Sequence, residues 1–186
     1  MPEKSFSEAA QWFLKDFQKI LDDFAQQTKF QVFLLDKEGN LITKMDGVQE
    51  ACKLIISTEE GRVRCKDGFK MGFSLVRAQK KPIFTECYAG FALCWLPITI
   101  RGVIIGLIVV CGGRYDRGGS ITGLNEKFSE LSDELGIIDK KYFLKKAVDE
   151  APLVTEEEVK EKIEKLTKLI NILIENVQTP LKEVLG

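Results

Sequence analysis

Residues 91–113 read FALCWLPITIRGVIIGLIVVCGG and decide the fold of this chain of 186 residues. Two β-prone segments, residues 91–99 and 103–111, flank a short turn at residues 100–102, as in two neighbouring antiparallel strands. The second segment is apolar almost throughout, which predicts a central strand covered on both faces. Residues 52–113 also hold all five cysteines of the chain, so we expect a buried pocket with unusual side chains in this region.

Further strands are predicted upstream of this pair. Residues 83–86 favour a short strand, and nearer the N terminus the β-prone residues 30–36 are followed by residues 41–44. The intervening residues 37–40 include Gly39 and Asn40 and are typical of a hairpin turn. The chain therefore predicts an α+β domain with a five-stranded antiparallel sheet and flanking helices.

Helices are predicted where apolar residues recur at intervals of four and three. They cover approximately residues 6–27, 48–56, 57–80, 124–135, 140–148 and 155–177. Three of them begin with the spacing of a capping box, formed by Ser5 with Glu8, by Ser57 with Glu60 and by Thr155 with Glu158. Gly136 is placed to end the fourth helix.

The last helix is long and amphipathic and carries a heptad stripe. The stripe consists of Val159, Ile163, Leu166, Ile170, Leu173 and Val177. Such a stripe can pack on its own domain or form a seam with a second copy of the chain. Because the phenylalanine-rich first helix also needs an apolar partner, we expect a homodimer through the terminal helices.

Composition excludes several classes of function. The chain has no histidine, which excludes Ser-His and Cys-His catalysis and a His-ligated haem. Its formal net charge of -1 disfavours nucleic acid as a partner. The longest apolar run, residues 103–111, is about half of the roughly 20 residues that a transmembrane helix needs. With five cysteines and no apolar signal segment, we expect a cytoplasmic protein with free thiols.

Three spaced cysteine motifs resemble the PocR ligand-binding sensory domain, a sensor module similar to PAS and GAF domains. The motifs lie at residues 51–55, 61–65 and 87–91, and the likeness extends over roughly residues 10–175. The resemblance implies a PAS/GAF-like sheet, cytoplasmic signal input and binding of small organic molecules, with simple hydrocarbon derivatives and diols proposed for the family. Tyr88 stands where the family usually has histidine.

We expect the chain to divide at the joint formed by Ala151 and Pro152. Residues 1–150, including the N-terminal amphipathic helix, are expected to form the sensory domain. Residues 151–186 are expected to form a signalling and dimerisation helix. The function that follows is small-molecule sensing in prokaryotic signal transduction, and the alternative is a cysteine-based metal or redox sensor.

The candidate ligand-binding residues surround the third motif. They are Cys52, Cys65, Cys87, Tyr88, Gly90 and Trp95. Glycine permits a tight turn, the tyrosine hydroxyl can orient a polar ligand, and the tryptophan can form an apolar wall. A plain turn with a surface tyrosine and a core tryptophan explains the same residues.

The cysteines allow two interpretations. Cys52, Cys65 and Cys87 could supply three thiolates to zinc, iron or an iron-sulfur cluster, since thiolates suit soft metals. However, the sequence has no Cys-x-x-Cys pair, and buried cysteine is also a common small apolar side chain in protein cores. Cys94 and Cys111 lie within apolar strands, and for these two we expect packing.

We do not expect an enzyme. The alternative is a GAF-like reductase of methionine sulfoxide, a reaction that needs a low-pKa thiolate rather than histidine. Cys87 would then be the nucleophile, with Cys65 or Cys94 as the resolving thiol. No cluster of acidic residues is arranged for such a substrate.

Overall fold

The computed structural model describes residues 7–45, 47–118, 120–176, 182 and 184–185. The helices are α1 (Glu8–Thr28), α2 (Glu50–Ser57), α3 (Glu59–Gln79), α4 (Ile121–Glu134), α5 (Lys140–Lys145), a π-helical turn (Lys146–Glu150) and α6 (Glu156–Asn176). The strands are β1 (Gln31–Asp36), β2 (Ile83–Glu86), β3 (Ala92–Ile100), β4 (Val103–Cys111), β5 (Arg114–Tyr115) and β6 (Leu153–Val154). The predicted ends of the first and last helices, Phe6 and Val177, lie outside the described residues, and so does Ser5 of the first predicted capping box.

The main sheet is antiparallel and has the strand order β1-β4-β3-β2. Strand β4 therefore lies between β1 and β3, which confirms the central strand predicted from its apolar sequence. The register aligns Gln31 of β1 with Cys111 of β4, and Cys111 with Leu93 of β3. Strands β5 and β6 form a separate parallel pair beside this sheet.

The predicted fifth strand at residues 41–44 is wrong, since the main sheet of the described residues has four strands. Leu41 makes only an isolated bridge with Leu35, and Ile42 donates its backbone N–H to the carbonyl of Leu34 at 2.9 Å. The backbone N–H of Leu34 then donates to the side-chain hydroxyl of Thr43 at 2.8 Å. Because a hydroxyl replaces the expected backbone acceptor, the segment caps the edge of β1 without continuing a regular ladder.

Helices α1 and α6 contribute to an apolar core on one face of the sheet. Phe17 and Leu21 of α1 are fully buried in the same core cluster as Leu166 of α6 and Cys94 of β3. Four residues of the heptad stripe, Val159, Ile163, Leu166 and Ile170, are buried in this cluster, and Leu173 packs against it. This described part of the stripe therefore packs on its own domain.

The opposite face of the sheet contacts α3 through the ring of Trp95. This side chain is fully buried in a cluster with Phe33, Phe73 and Val76. A Cβ atom added to Gly72 of α3 would overlap the Trp95 indole, so glycine is required for this close approach of helix and sheet.

The helix boundaries follow local capping. Thr58, not Ser57, caps α3, because its hydroxyl accepts the backbone N–H of Gly61 at 3.0 Å. The predicted capping box of α6 is confirmed, with reciprocal bonds of 2.8 and 3.1 Å between Thr155 and Glu158. None of the described helices combines the length and apolarity needed to cross a membrane.

Candidate functional site

A cavity of about 660 Å³ lies on the sheet face opposite α1 and α6. The alternation of side chains along strands places every second residue on this face. The strand residues that line the cavity are Gln31, Phe33 and Leu35 of β1, Leu93 and Trp95 of β3, and Cys111 of β4. The volume lies within the range of pockets for small organic ligands.

Two helices and two loops form the remaining walls. Cys52, Ile55 and Ile56 come from α2, and the residues of α3 include Cys65, Phe69 and Met71. The turn after β2 contributes Cys87, Tyr88, Ala89 and Phe91, and the segment after β1 contributes residues such as Leu41, Met45 and Val48. Most of these side chains are apolar, so the cavity favours an apolar occupant.

Five of the six predicted ligand-binding residues line this one cavity. They are Cys52, Cys65, Cys87, Tyr88 and Trp95. Gly90 does not line it. Its φ of 82° instead allows the turn in which its backbone N–H donates to the carbonyl of Cys87 at 2.8 Å, so Gly90 positions Cys87 and Tyr88.

The Tyr88 hydroxyl connects the turn after β2 with α3. It donates to the carbonyl of Gly61 at 3.3 Å and lies 3.8 Å from the Cys65 sulfur. Burial raises the pKa of this phenol, and the nearby Cys65 raises it further. Tyr88 is therefore neutral at physiological pH and can offer an uncharged hydroxyl to the cavity.

The thiols around the cavity are neutral. Burial raises the pKa of Cys52, Cys65 and Cys87, and the hydrogen bond with Tyr88 opposes this effect at Cys65. Among the described residues, no three Cys, Asp or Glu side chains are grouped to hold a metal ion. The three-thiolate metal site at Cys52, Cys65 and Cys87 stays a prediction, because all three side chains line the cavity and a bound metal would itself release their protons.

The two remaining cysteines face opposite sides of the sheet. Cys94 packs in the core beneath α1 and α6 with 1% of its surface exposed, which confirms the packing predicted for it. Cys111 also packs, against the cluster around Trp95, and in addition lines the cavity. The register shows the reason, since Cys111 lies opposite Leu93, whose side chain also faces the cavity.

Charged side chains lie at the rim of the cavity. Arg62, Lys66 and Asp67 of α3 are exposed lining residues. Glu86, at the end of β2, is paired with Arg117 through a nitrogen-oxygen distance of 2.9 Å. The polar group deepest in the sheet wall is the Gln31 amide, a residue that sequence reasoning missed because a glutamine at a strand end is also typical of a surface.

Glu86 also lines a second, polar cleft of about 260 Å³. The other lining residues are Phe84, Thr85, Tyr115, Arg117, Glu156 and Lys160. Since Glu156 and Lys160 belong to the first turns of α6, this cleft connects the rim of the large cavity with the start of that helix.

The sequence comparisons agree with the resemblance noted from the cysteine motifs. A family model described as the sensory domain found in PocR matches residues 13–178. The Regulatory protein PocR of Salmonella typhimurium is 28% identical over 94 residues, which are 50% of this chain and 31% of that protein. The chain thus matches about a third of the length of this relative. No solved structure gives a significant match, so the PAS/GAF-like character of the sheet stays a prediction.

Proposed function

Because the chain belongs to the family of sensory domains found in PocR, we propose that its large cavity binds a small organic molecule as the input of a signalling protein. The observation that carries this proposal is the cavity of about 660 Å³, into which five of the six predicted residues converge. A ligand of matching shape would replace water against apolar walls and gain free energy in proportion to the apolar area that it covers.

The ligand is an uncharged or weakly polar molecule in this proposal. Cys52, Cys87 and Trp95 offer neutral surfaces, and Tyr88 offers a hydroxyl. Transfer of a charged group into such surroundings without a partner costs free energy. The redox sensor and the thiol reductase receive less support, because each needs a reactive thiolate that burial disfavours. The metal sensor receives less support because no three Cys, Asp or Glu side chains of the described residues are grouped to hold a metal ion.

A route for the signal leads from the cavity rim to α6. Glu86 lines the cavity and binds Arg117, and both residues line the cleft that contains Glu156 and Lys160 of α6. A ligand that displaces Glu86 would change the charges facing the first turns of α6. Binding transmits a signal by this route if the ligand prefers one arrangement of the helix over another.

The partners in this proposal are a downstream output protein or domain and a second copy of the chain, in a cytoplasmic setting. The heptad stripe is buried in the domain core from Val159 to Ile170, so a homodimer would use the outer side of the terminal helices. Leu169 and Ile172 of α6 and Trp12 of α1 are large apolar side chains with more than half of their surface exposed. They supply the apolar area that such a contact needs.

Tryptophan fluorescence tests occupation of the cavity directly. The chain has two tryptophans, Trp95 in the cavity wall and Trp12 exposed on α1. In the Trp12→Phe variant, we expect toluene or octanol to change the emission of Trp95 in a saturable way at millimolar concentrations or below. Both compounds are small enough for the cavity and bring the apolar surface that its walls favour.

The matched control is Trp95→Phe, which keeps only the Trp12 signal. Its emission should not respond to either compound. An equal response from both single-tryptophan variants would indicate unspecific binding. Absence of any saturable response from Trp95 would contradict the proposed function.

A further inference from the structure

Gln31 is a buried polar residue in the wall of the cavity. It is the first residue of β1, only 3% of its surface is exposed, and it lines the large cavity. Its cross-strand partner is Cys111, which itself pairs with Leu93. Gln31 therefore lies at one end of the sheet face, beside a thiol and an apolar side chain.

The other residues with a buried polar or charged side chain have structural partners, whereas the indole N–H of Trp95, which also lines the cavity, has none among the described residues. Asp36 accepts the backbone N–H groups of Glu38 and Asn40 at 2.9 and 2.8 Å. Thr43 accepts the backbone N–H of Leu34 at 2.8 Å, and Ser132 donates to the carbonyl of Ile137 at 3.4 Å. Each of these polar side chains thus closes a turn or a strand edge.

The Gln31 amide has no comparable partner. Its oxygen is 3.7 Å from the sulfur of Cys111, and a thiol is a weak donor. Its nitrogen makes no hydrogen bond with any residue that the structure describes. The nitrogen is not among the fully buried polar atoms that lack a partner, so it is accessible from the cavity that Gln31 lines. An occupant of the cavity can therefore bind it.

We propose that the Gln31 amide is the polar anchor of the cavity and selects ligands that carry a neutral amide, carbonyl or hydroxyl group on an apolar body. This inference rests on the proposed function and adds the residue that determines specificity. A primary amide both donates and accepts hydrogen bonds, so it matches a neutral group of the same kind in two ways.

The surroundings of Gln31 discriminate against a charged group at this end of the ligand. Its neighbours across the sheet are Cys111 and Leu93, and burial raises the pKa of Cys111, which keeps its thiol neutral. The charged lining residues of α3, Arg62, Lys66 and Asp67, are exposed at the rim. A carboxylate beside Gln31 would therefore lose its hydration without gaining an ion pair.

The test compares three probes in the Trp12→Phe protein, with Trp95 emission as the signal. Octanamide carries the predicted neutral group, octanoate carries a charge on a chain of the same length, and toluene has no hydrogen-bonding group. We expect octanamide to bind at least about tenfold more tightly than octanoate. Gln31→Met, which keeps the length of the side chain but removes the amide, should weaken octanamide binding about tenfold, the effect of one lost hydrogen bond to a buried group.

Toluene and a second variant separate the outcomes. The affinity for toluene should be unchanged or higher in the Gln31→Met protein. The control variant Gln27→Met, on the exposed surface of α1, should leave the affinities for octanamide and toluene unchanged. If toluene binds, and octanamide binds equally tightly to the original and Gln31→Met proteins, the proposed role of Gln31 is overturned. The proposed function is not contradicted by that result. Absence of binding by all three probes would contradict the proposed function itself. Thermal unfolding of each variant shows that it is folded.

Discussion

Replacement of Gly72 by alanine is expected to destabilise the domain by about 3 kcal/mol, at the upper end of the effects of overpacking. An added Cβ atom would overlap the indole ring of Trp95, which is fully buried between α3 and the sheet. The ring is not exposed to solvent, and the free space beside it is the cavity that it lines. Either α3 shifts away from the sheet or Trp95 moves into the cavity, and both changes cost packing energy.

Gly68 provides the matched control, since it lies one helical turn earlier in the same helix. A Cβ atom added at Gly68 meets no other atom within 4 Å. Gly68→Ala should therefore be neutral or stabilise the domain by up to about 1 kcal/mol through helix propensity. Urea unfolding of both variants measures the difference. Equal stability of Gly72→Ala and Gly68→Ala would show that α3 does not pack closely on Trp95.

Leu166→Ala is expected to destabilise the domain by about 2–5 kcal/mol, the usual cost of removing a large apolar side chain from a core. Leu166 is fully buried in the cluster that joins α6, α1 and the sheet. Because its packing is within one chain, the loss should be independent of protein concentration. Urea unfolding at two protein concentrations that differ a hundredfold measures both properties.

Leu169 is the control for Leu166, because it lies on the same helix with 54% of its surface exposed. Leu169→Ala should change the stability of the domain by about 0.5 kcal/mol or less, as is typical of surface positions. If α6 contacts a second copy through its outer side, Leu169→Ala should instead weaken that association. A small, concentration-dependent effect of Leu166→Ala would place the heptad stripe at an interface between chains and contradict the packing described above.

Patterns of apolar residues in the sequence were sufficient to predict most of the fold. Strand β4 could be placed at the centre of the sheet because residues 103–111 carry almost no polar side chain. The strand predicted at residues 41–44 was wrong because β propensity does not show that the hydroxyl of Thr43 takes the place of a backbone acceptor. The heptad stripe of α6 was correctly located, but an apolar stripe does not identify the surface that covers it.

The candidate site was predictable where a motif concentrated unusual residues. Cys87 and Tyr88 lie in one motif, and Cys52 and Cys65 reach the same cavity from α2 and α3. Gln31 was not predictable, because its burial depends on its register with Cys111, which is 80 residues away in the sequence. The different roles of Cys94 and Cys111 likewise follow from which face of the sheet each one occupies.

The central claim is that the cavity between the sheet and helices α2 and α3 binds a small organic molecule. Two-dimensional NMR of the ¹⁵N-labelled protein during titration with octanamide tests it most directly. The account predicts saturable shifts of backbone amides at Phe33, Cys52, Cys65 and Tyr88. The amide of Leu166, on the opposite side of the sheet, should stay unchanged. Shifts confined to the surface of α1 and α6, or no saturable shift at all, would contradict the claim.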